Sequence, residues 1–406
     1  MSADDTLLVV GGGVTGATTA ALLAQAGWSV AVVDRRGFDV HSPQPNDRVV
    51  ALGLGAQRVF KHLGLWSRLM EGAVTPYPTM VVEAKGHRLT FHADAHGLPE
   101  LGFIVSIPWL EAVLAEHIQA QENIELHAPA TWSDFKVTDD GVRLYLGPNP
   151  QTVTETLSGA LLVGADGAGS AVRQRAGIEH TAIDYNQQAL IGPVVTAQPN
   201  PGIAWQRFTP SGPLALLPLP NGQSSIVWSI PTHEASAHRS LPPDELVQVV
   251  NDALGATPPD PMGLIQAIDA PQWWPLKRQR AHRLQQGRVV LVGDAAHSVH
   301  PLAGQGLNLG LLDAAALAEC LQPVIEHRTT GAWTQALARY GRWRLSNTTA
   351  AGEGIHWINA LHHTPMGLGQ HALGLALAAA NRAWPIRQAL IKRATGIDAD
   401  APLICR

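Results

Sequence analysis

The chain has 406 residues, with 28 Lys and Arg against 33 Asp and Glu, a formal net charge of −5 and 46% hydrophobic residues. That length buries at least one large core and predicts two or three domains, while the negative balance and the lack of a Lys/Arg block interleaved with aromatics exclude a nucleic-acid footprint. Cys320 and Cys405 lack metal spacing and read as structural in a reducing compartment, the histidines are scattered with no metal site expected, and neither a signal peptide nor a stretch of ~20 apolar residues appears, so the expected location is cytoplasmic.

Residues 6–10 are an apolar run too short for a helix, and the run ends in Gly11-Gly12-Gly13. This predicts a buried strand followed by an Ala/Leu-rich helix over 15–26. A second strand over 28–33 ends on Asp34. Gly11-x-Gly13-x-x-Gly16 thus has a strand before it, a helix after it and an acid about twenty residues on, the context in which such glycines admit a pyrophosphate and the acid binds an adenosine ribose. Arg48, in the next segment, suits a cofactor phosphate or ring edge and equally a surface ion pair, and from Leu52 a single helical pattern runs on to Leu69. Short alternating runs over 77–103 predict hairpins, 109–120 a helix, and 124–146 a hairpin turning at Asp139-Asp140-Gly141.

The strand predicted over 160–163 runs into Gly164-Ala165-Asp166-Gly167, a second Gly/Asp strand end, with Ser170 placed to cap the following helix. Residues 185–275 change to alternating strands broken by Pro and Gly, then a helix over 244–254. This reads as an antiparallel substrate domain without a phosphate signature. Trp205, Phe208 and Leu216 are its candidate substrate contacts, although the same alternation builds an ordinary sheet core. Trp273-Trp274 marks the return to the first domain, as a pocket cover or as packing.

The stretch that organises the chain is Gly293-Asp294 to Asn308, between an apolar run over 288–292 and a helical run over 307–321. Asp294 at a strand end suits a sugar or polyol hydroxyl. Gly304-Gln305-Gly306 offers bare backbone at a helix start, where unpaired amides favour an anion or a polarised carbonyl. Three Gly/Asp strand ends, near 11, 166 and 294, imply one extended ligand.

Together these motifs resemble the class A FAD-dependent aromatic hydroxylases, the group that includes para-hydroxybenzoate hydroxylase. Within it, GDAAHSVHPLAGQGLNLGLLDAAALAE over 293–319, Tyr185-Asn186-Gln187-Gln188-Ala189 and the run over 207–219 are similar to the ubiquinone-biosynthesis ring hydroxylases. The resemblance spans roughly residues 6–347, with Asp34 where the family more often has Glu and Ser106-Ile107-Pro108 in place of a polar pair.

The resemblance implies an α/β fold: a Rossmann-like FAD-binding domain, para-hydroxybenzoate hydroxylase-like, with an inserted antiparallel-sheet substrate domain and C-terminal helices. The expected partition is FAD-binding domain over 1–76, 102–180 and 278–347, substrate domain over 77–101 and 181–277, and a helical tail over 348–406. It implies FAD held by Gly11, Gly13, Gly16, Asp34, Arg48, Asp166, Gly293, Asp294, Gly304, Gly306, Leu307 and Asn308, and NAD(P)H and O2 as co-substrates acting through a flavin C4a-hydroperoxide. His300, Pro301 and Gln305 are the candidate catalytic positions, His300 serving equally as a loop-stabilising group. The implied substrate is a hydrophobic, polyprenylated phenol. Another class A phenol hydroxylase, an FAD-dependent isoprenoid reductase or cyclase, and a catalytically silent flavoprotein scaffold of a biosynthetic complex stay open. The tail over 356–393, apolar but interrupted by Arg382, Arg387, Lys392 and Arg393, suits a membrane surface, a partner helix of a biosynthetic complex, or packing on the FAD domain.

Overall fold

A computed structural model describes residues 6–38, 48–300, 304–327, 329–362 and 368–406. At its centre is a six-stranded sheet in the order Gln285–Gln286, Val289–Leu291, Leu161–Gly164, Thr6–Val10, Ser29–Val33, Ile124–His127. All pairs are parallel except the first. The three uninterrupted apolar runs read from the sequence lie side by side here, because a parallel sheet covered on both faces needs no polar alternation. Leu7, Leu8, Leu161, Leu162 and Val290 are fully buried. Helices Val14–Gln25, Ile107–Gln119 and Gln305–His327 cover the sheet.

Two local expectations changed. Ile124–His127 is not part of a hairpin but the edge of the parallel sheet, paired with Ser29–Val33. The hairpin begins later, at Trp132–Val137 and Val142–Leu146, with Glu155–Gly159 as its third strand. The helical run after residue 53 is broken into Leu54–His62 and Trp66–Met70. Gly64, at φ +75°, makes that break, a conformation side-chain-bearing residues resist.

The second large sheet has nine strands, built on His180–Thr196, which pairs antiparallel with Ser224–Pro231 on one side and with Gln272–Ala281 and Ile265–Ile268 on the other. The hairpin of Thr79–Ala84 and His87–His92 joins it by parallel pairing with Ile203–Phe208. One face of this sheet buries Leu190, Leu214, Leu216, Ile226 and Trp228 against helix Pro243–Leu254. Trp273 and Trp274 belong to this sheet, on the strand Gln272–Ala281, which links the two halves of the molecule.

Helix Thr330–His362 runs through the expected boundary at 348. Leu368–Arg382 and Trp384–Thr395 follow, and the chain folds back so that Leu403–Cys405 meets Leu54–His62.

Candidate functional site

The first turn is shaped by close backbone approach. Gly11, at φ +106°, sits where a Cβ would come within 2.3 Å of the Ala165 carbonyl oxygen, and a Cβ at Gly16 would meet Gly11 O at 1.8 Å. These two glycines therefore pack strand, helix and neighbouring strand together. At Gly13 a Cβ would find nothing nearer than Glu111 Oε1, at 4.0 Å. Gly13 opens helix Val14–Gln25 with no side chain capping its first amides. Those donors border a cavity lined by Gly13, Val14 and Thr15, so helix dipole and free N–H groups face open space, the arrangement that holds a phosphate. Asp34 accepts from the Gly12 amide at 2.6 Å and the Arg36 amide at 2.7 Å. Its carboxylate is thereby fixed beside the turn, each oxygen keeping a second lone pair for a ribose hydroxyl.

The second Gly/Asp strand end differs from expectation. Asp166 does not line the cavity, although Ala165 and Gly167 do. Its carboxylate accepts from Ser170 Oγ at 2.5 Å and from the amides of Ala171 and Val172, so it caps helix Ala171–Arg175. Arg173, 2% exposed, donates to the carbonyls of Ala168 and Ala295 and ties this turn to the third one.

At the third strand end, Asp294 lines the cavity and no donor among the described residues binds its carboxylate. By area Asp294 is exposed, on the cavity side, yet the protein packed around it desolvates the carboxyl and raises its pKa above the usual carboxylate value, opposed by the charges of His297 and Arg48. The loop is held from behind. Asp313, fully buried, accepts from Gly293 N at 3.0 Å and His297 Nε2 at 2.6 Å through one oxygen, and from Arg344 Nε at 2.7 Å through the other. Burial alone would raise its pKa, but the His297 and Arg344 charges hold it below the usual value. Tyr340 donates to Leu291 O at 2.7 Å on the same strand.

Gly304, Gly306 and Leu307 at the start of helix Gln305–His327 also line the cavity. Asn308 does not; its amide clamps the segment to the neighbouring turn, accepting from Gly53 N and donating to Ala51 O and Gly304 O. Gln305 is likewise corrected from a catalytic to a tethering position, because its side chain donates to Ala394 O at 3.0 Å. His300 is 1% exposed and turned away from the cavity, with Nε2 3.2 Å from Gln187 Oε1 and its ring against Tyr185. Pro301 lies outside the described residues.

The cavity, about 570 Å³, runs on under the large sheet. Its floor is the cross-strand row Ile191, Val227, Ala215 and Gln206, extended by Ala189, Ser229 and Leu217. Side chains alternate faces along a strand, so Leu216 points to the opposite face, into the core under Pro243–Leu254, and is no cavity contact. Phe208 packs with Ala84 and Leu373. Trp205 borders the cavity but buries its ring in that same core. Trp274, 43% exposed, forms part of the wall, with the Arg48 guanidinium 5.3 Å over its ring. Arg48 thus faces the cavity in place of forming a surface ion pair, and Trp274 is a pocket cover. Tyr77, also in the wall, has its phenol pushed up to about 12 by burial.

Sequence reasoning missed Thr15, Glu111 and the Asp313 network. Glu111 carries no motif. Asp313 had a signal: an acid inside the otherwise apolar run over 309–318 requires a buried partner.

The sequence profile of the family described as FAD binding domain matches residues 4–351. The chain is 31% identical over 395 residues to the 3-demethoxyubiquinol 3-hydroxylase of Escherichia coli strain K12, covering 96% of this chain and 98% of that one. It is 34% identical over 317 residues to the ubiquinone hydroxylase UbiL of Rhodospirillum rubrum, covering 78% and 72%. The p-nitrophenol 4-monooxygenase PnpA of Pseudomonas putida DLL-E4 superposes with a TM-score of 0.75 at 20% identity, over 97% of this chain and all of that one, which places the fold alone.

Proposed function

The chain belongs to the FAD-binding domain family, and from that premise we propose that it hydroxylates the aromatic ring of a polyprenylated phenol of ubiquinone biosynthesis, with NAD(P)H and O2 as co-substrates. It is an FAD-dependent monooxygenase. The observation that carries the substrate reading is one continuous cavity that joins uncapped helix amides at Gly13–Thr15 and the Asp294 carboxyl to an apolar strand floor. The residues fit FAD: a bare cradle at Gly13, a desolvated and unbonded carboxyl at Asp294, and a second helix start at Gly304–Leu307. When bound, FAD supplies the redox chemistry, taking hydride from NAD(P)H and activating O2 for transfer to the ring.

The chain's own work is binding, orientation and exclusion of water. The amides of 13–15 and the Asp34 carboxylate hold the nucleotide half, and Asp294 takes hydroxyls of the ribityl chain. The helix start at Gly304–Leu307 directs positive dipole at the flavin ring, where it stabilises negative charge. The small side chains Ala189 and Ala215 leave room for a flat ring on the floor, and Gln206 and Ser229 are the polar groups there to bind a phenolic hydroxyl. Tyr77 keeps its proton at neutral pH and orients without acting as a base. A polyprenylated phenol partitions into lipid, so the substrate is met at a membrane surface; no helix among the described residues is long and apolar enough to cross a membrane.

Purified protein loaded with FAD is incubated with a short-chain prenylated phenol, NAD(P)H and labelled O2. Phenol-dependent NAD(P)H oxidation with label in the ring supports the reading. Turnover under strict anaerobiosis assigns a reductase or cyclase instead, and no turnover with any phenol a scaffold.

A further inference from the structure

Outside the cavity, three consecutive helices repeat one surface pattern. Near the end of Thr330–His362, Gly354, Trp357 and Ile358 are exposed. On Leu368–Arg382 the exposed positions include Ala372, Leu375, Ala376 and Ala379, with the polar His371 and Asn381 beside them, and on Trp384–Thr395 they include Ile386, Ala389, Leu390 and Arg393. Spacings of three and four put each set on one helix face. The opposite faces are already used: Leu373 packs with Phe208, Ala380 and Ile391 pack with Leu89 and Phe91, and Arg387 donates to Thr90 O at 2.7 Å. The tail is therefore seated on the hairpin, and its outward faces are apolar as well.

An outward helix face in a globular domain normally carries charge. Here Trp357 is 63%, Leu375 64%, Ile386 51% and Leu390 45% exposed. Large exposed apolar areas of this kind mark interaction sites. Charge identifies the occupant. Residues 354–397 contain no Asp or Glu but include Arg382, Arg387, Lys392 and Arg393, in a chain whose net charge is −5. Lys392 and Arg393 are exposed at the end of the third stripe. A second copy docking through the same patch would bring like charges together, because a two-fold interface apposes identical surfaces.

We infer that these three helix faces form a docking surface for an anionic lipid bilayer. The helices lie in the interface plane with Trp357, Leu375, Ile386 and Leu390 in the acyl boundary and Lys392 and Arg393 at the headgroups. This deepens the proposed reading by naming the surface through which a lipid-borne phenol is met, and it rests on that reading for the substrate alone.

The test uses the full-length, FAD-loaded protein and flotation with phosphatidylcholine vesicles, with and without phosphatidylglycerol. The expected result is flotation with anionic vesicles, reduced in pure phosphatidylcholine and by salt. Leu375→Asp with Leu390→Asp lowers partitioning by at least about tenfold, and Lys392→Glu and Arg393→Glu lower it by about fivefold each. Flavin content and turnover of a water-soluble short-chain phenol stay unchanged in all three variants. No flotation of the wild type, unchanged partitioning of the variants, or flavin loss from them overturns the inference. So does a dimer on size exclusion that the variants dissolve, which makes a second copy the occupant. No substrate enters the vesicle assay, so a failure of hydroxylation leaves its result standing.

Discussion

Replacing Asp313 by Ala tests whether the flavin loop is held from behind. The carboxylate is the shared acceptor of the Gly293 amide, His297 and Arg344, at 3.0, 2.6 and 2.7 Å. Arg344 is 1% and His297 2% exposed, so neither gains water when the partner is removed. Breaking a buried ion pair by deleting one member costs about 3–5 kcal/mol, because it strands the other charge; at about 1.4 kcal/mol per factor of ten, the folding equilibrium constant falls by roughly two to three and a half orders of magnitude. Urea denaturation followed by tryptophan fluorescence measures the loss, and flavin retained after gel filtration measures the loosening of Asp294.

The pH dependence has a definite sign. The folded pKa of Asp313 is depressed, so its contribution is present above the unfolded value of about 3.9 and lost as pH falls through the folded value. For Asp313→Asn the deficit relative to wild type is therefore full at neutral pH and closes below about pH 4. A deficit in Asp313→Ala under about 1 kcal/mol, the level of an ordinary surface pair, with flavin retention unchanged, would refute the reasoning.

Asp166→Ala, by contrast, removes a helix cap and costs about 1 kcal/mol, with flavin affinity changed far less than by Asp294→Ala; equal losses in the two variants by flavin titration would restore Asp166 to the cofactor. Asp294→Asn weakens FAD retention yet stabilises the apoprotein as pH rises above about 4, because the folded carboxyl has a raised pKa and resists ionisation; thermal melts of apoprotein across pH decide this. Leu216→Ala empties core volume and costs about 2–5 kcal/mol while sparing KM for the phenol, whereas Ala215→Phe narrows the cavity floor and raises KM with little loss of stability; the reverse pattern overturns the face assignment. Gly16→Ala, whose Cβ would sit 1.8 Å from Gly11 O, abolishes flavin binding and lowers the yield of folded protein, while Gly169→Ala, with nothing within 4 Å of its Cβ, leaves both at the wild-type level.

Local chemistry was legible in the sequence wherever it depends on neighbours along the chain. Runs of Val and Leu without polar alternation have to be buried parallel strands, and glycine was required at positions 11 and 16 because backbone passes within van der Waals distance there. From this the parallel strands of the central sheet and the glycine turns at their ends could be read before any coordinates. Side-chain direction could not. Asp34, Asp166 and Asp294 look alike as strand-end acids, yet the first fixes a turn, the second caps a helix and the third faces the cavity. The difference lies in which amide groups the folded chain brings within reach of each. The substrate sheet shows the same limit. Its large apolar residues drew attention as ring contacts, but an alternating strand does not say which face meets a helix. Helix Pro243–Leu254 took the face of Leu214, Leu216 and Trp228, and the smaller residues Ala189 and Ala215 were left to line the cavity. Asp313, His297 and Arg344 stand up to 47 residues apart in the chain. Only the packing of two long helices beneath the Gly293 loop makes them one site, since a buried charge takes the partner that tertiary structure supplies.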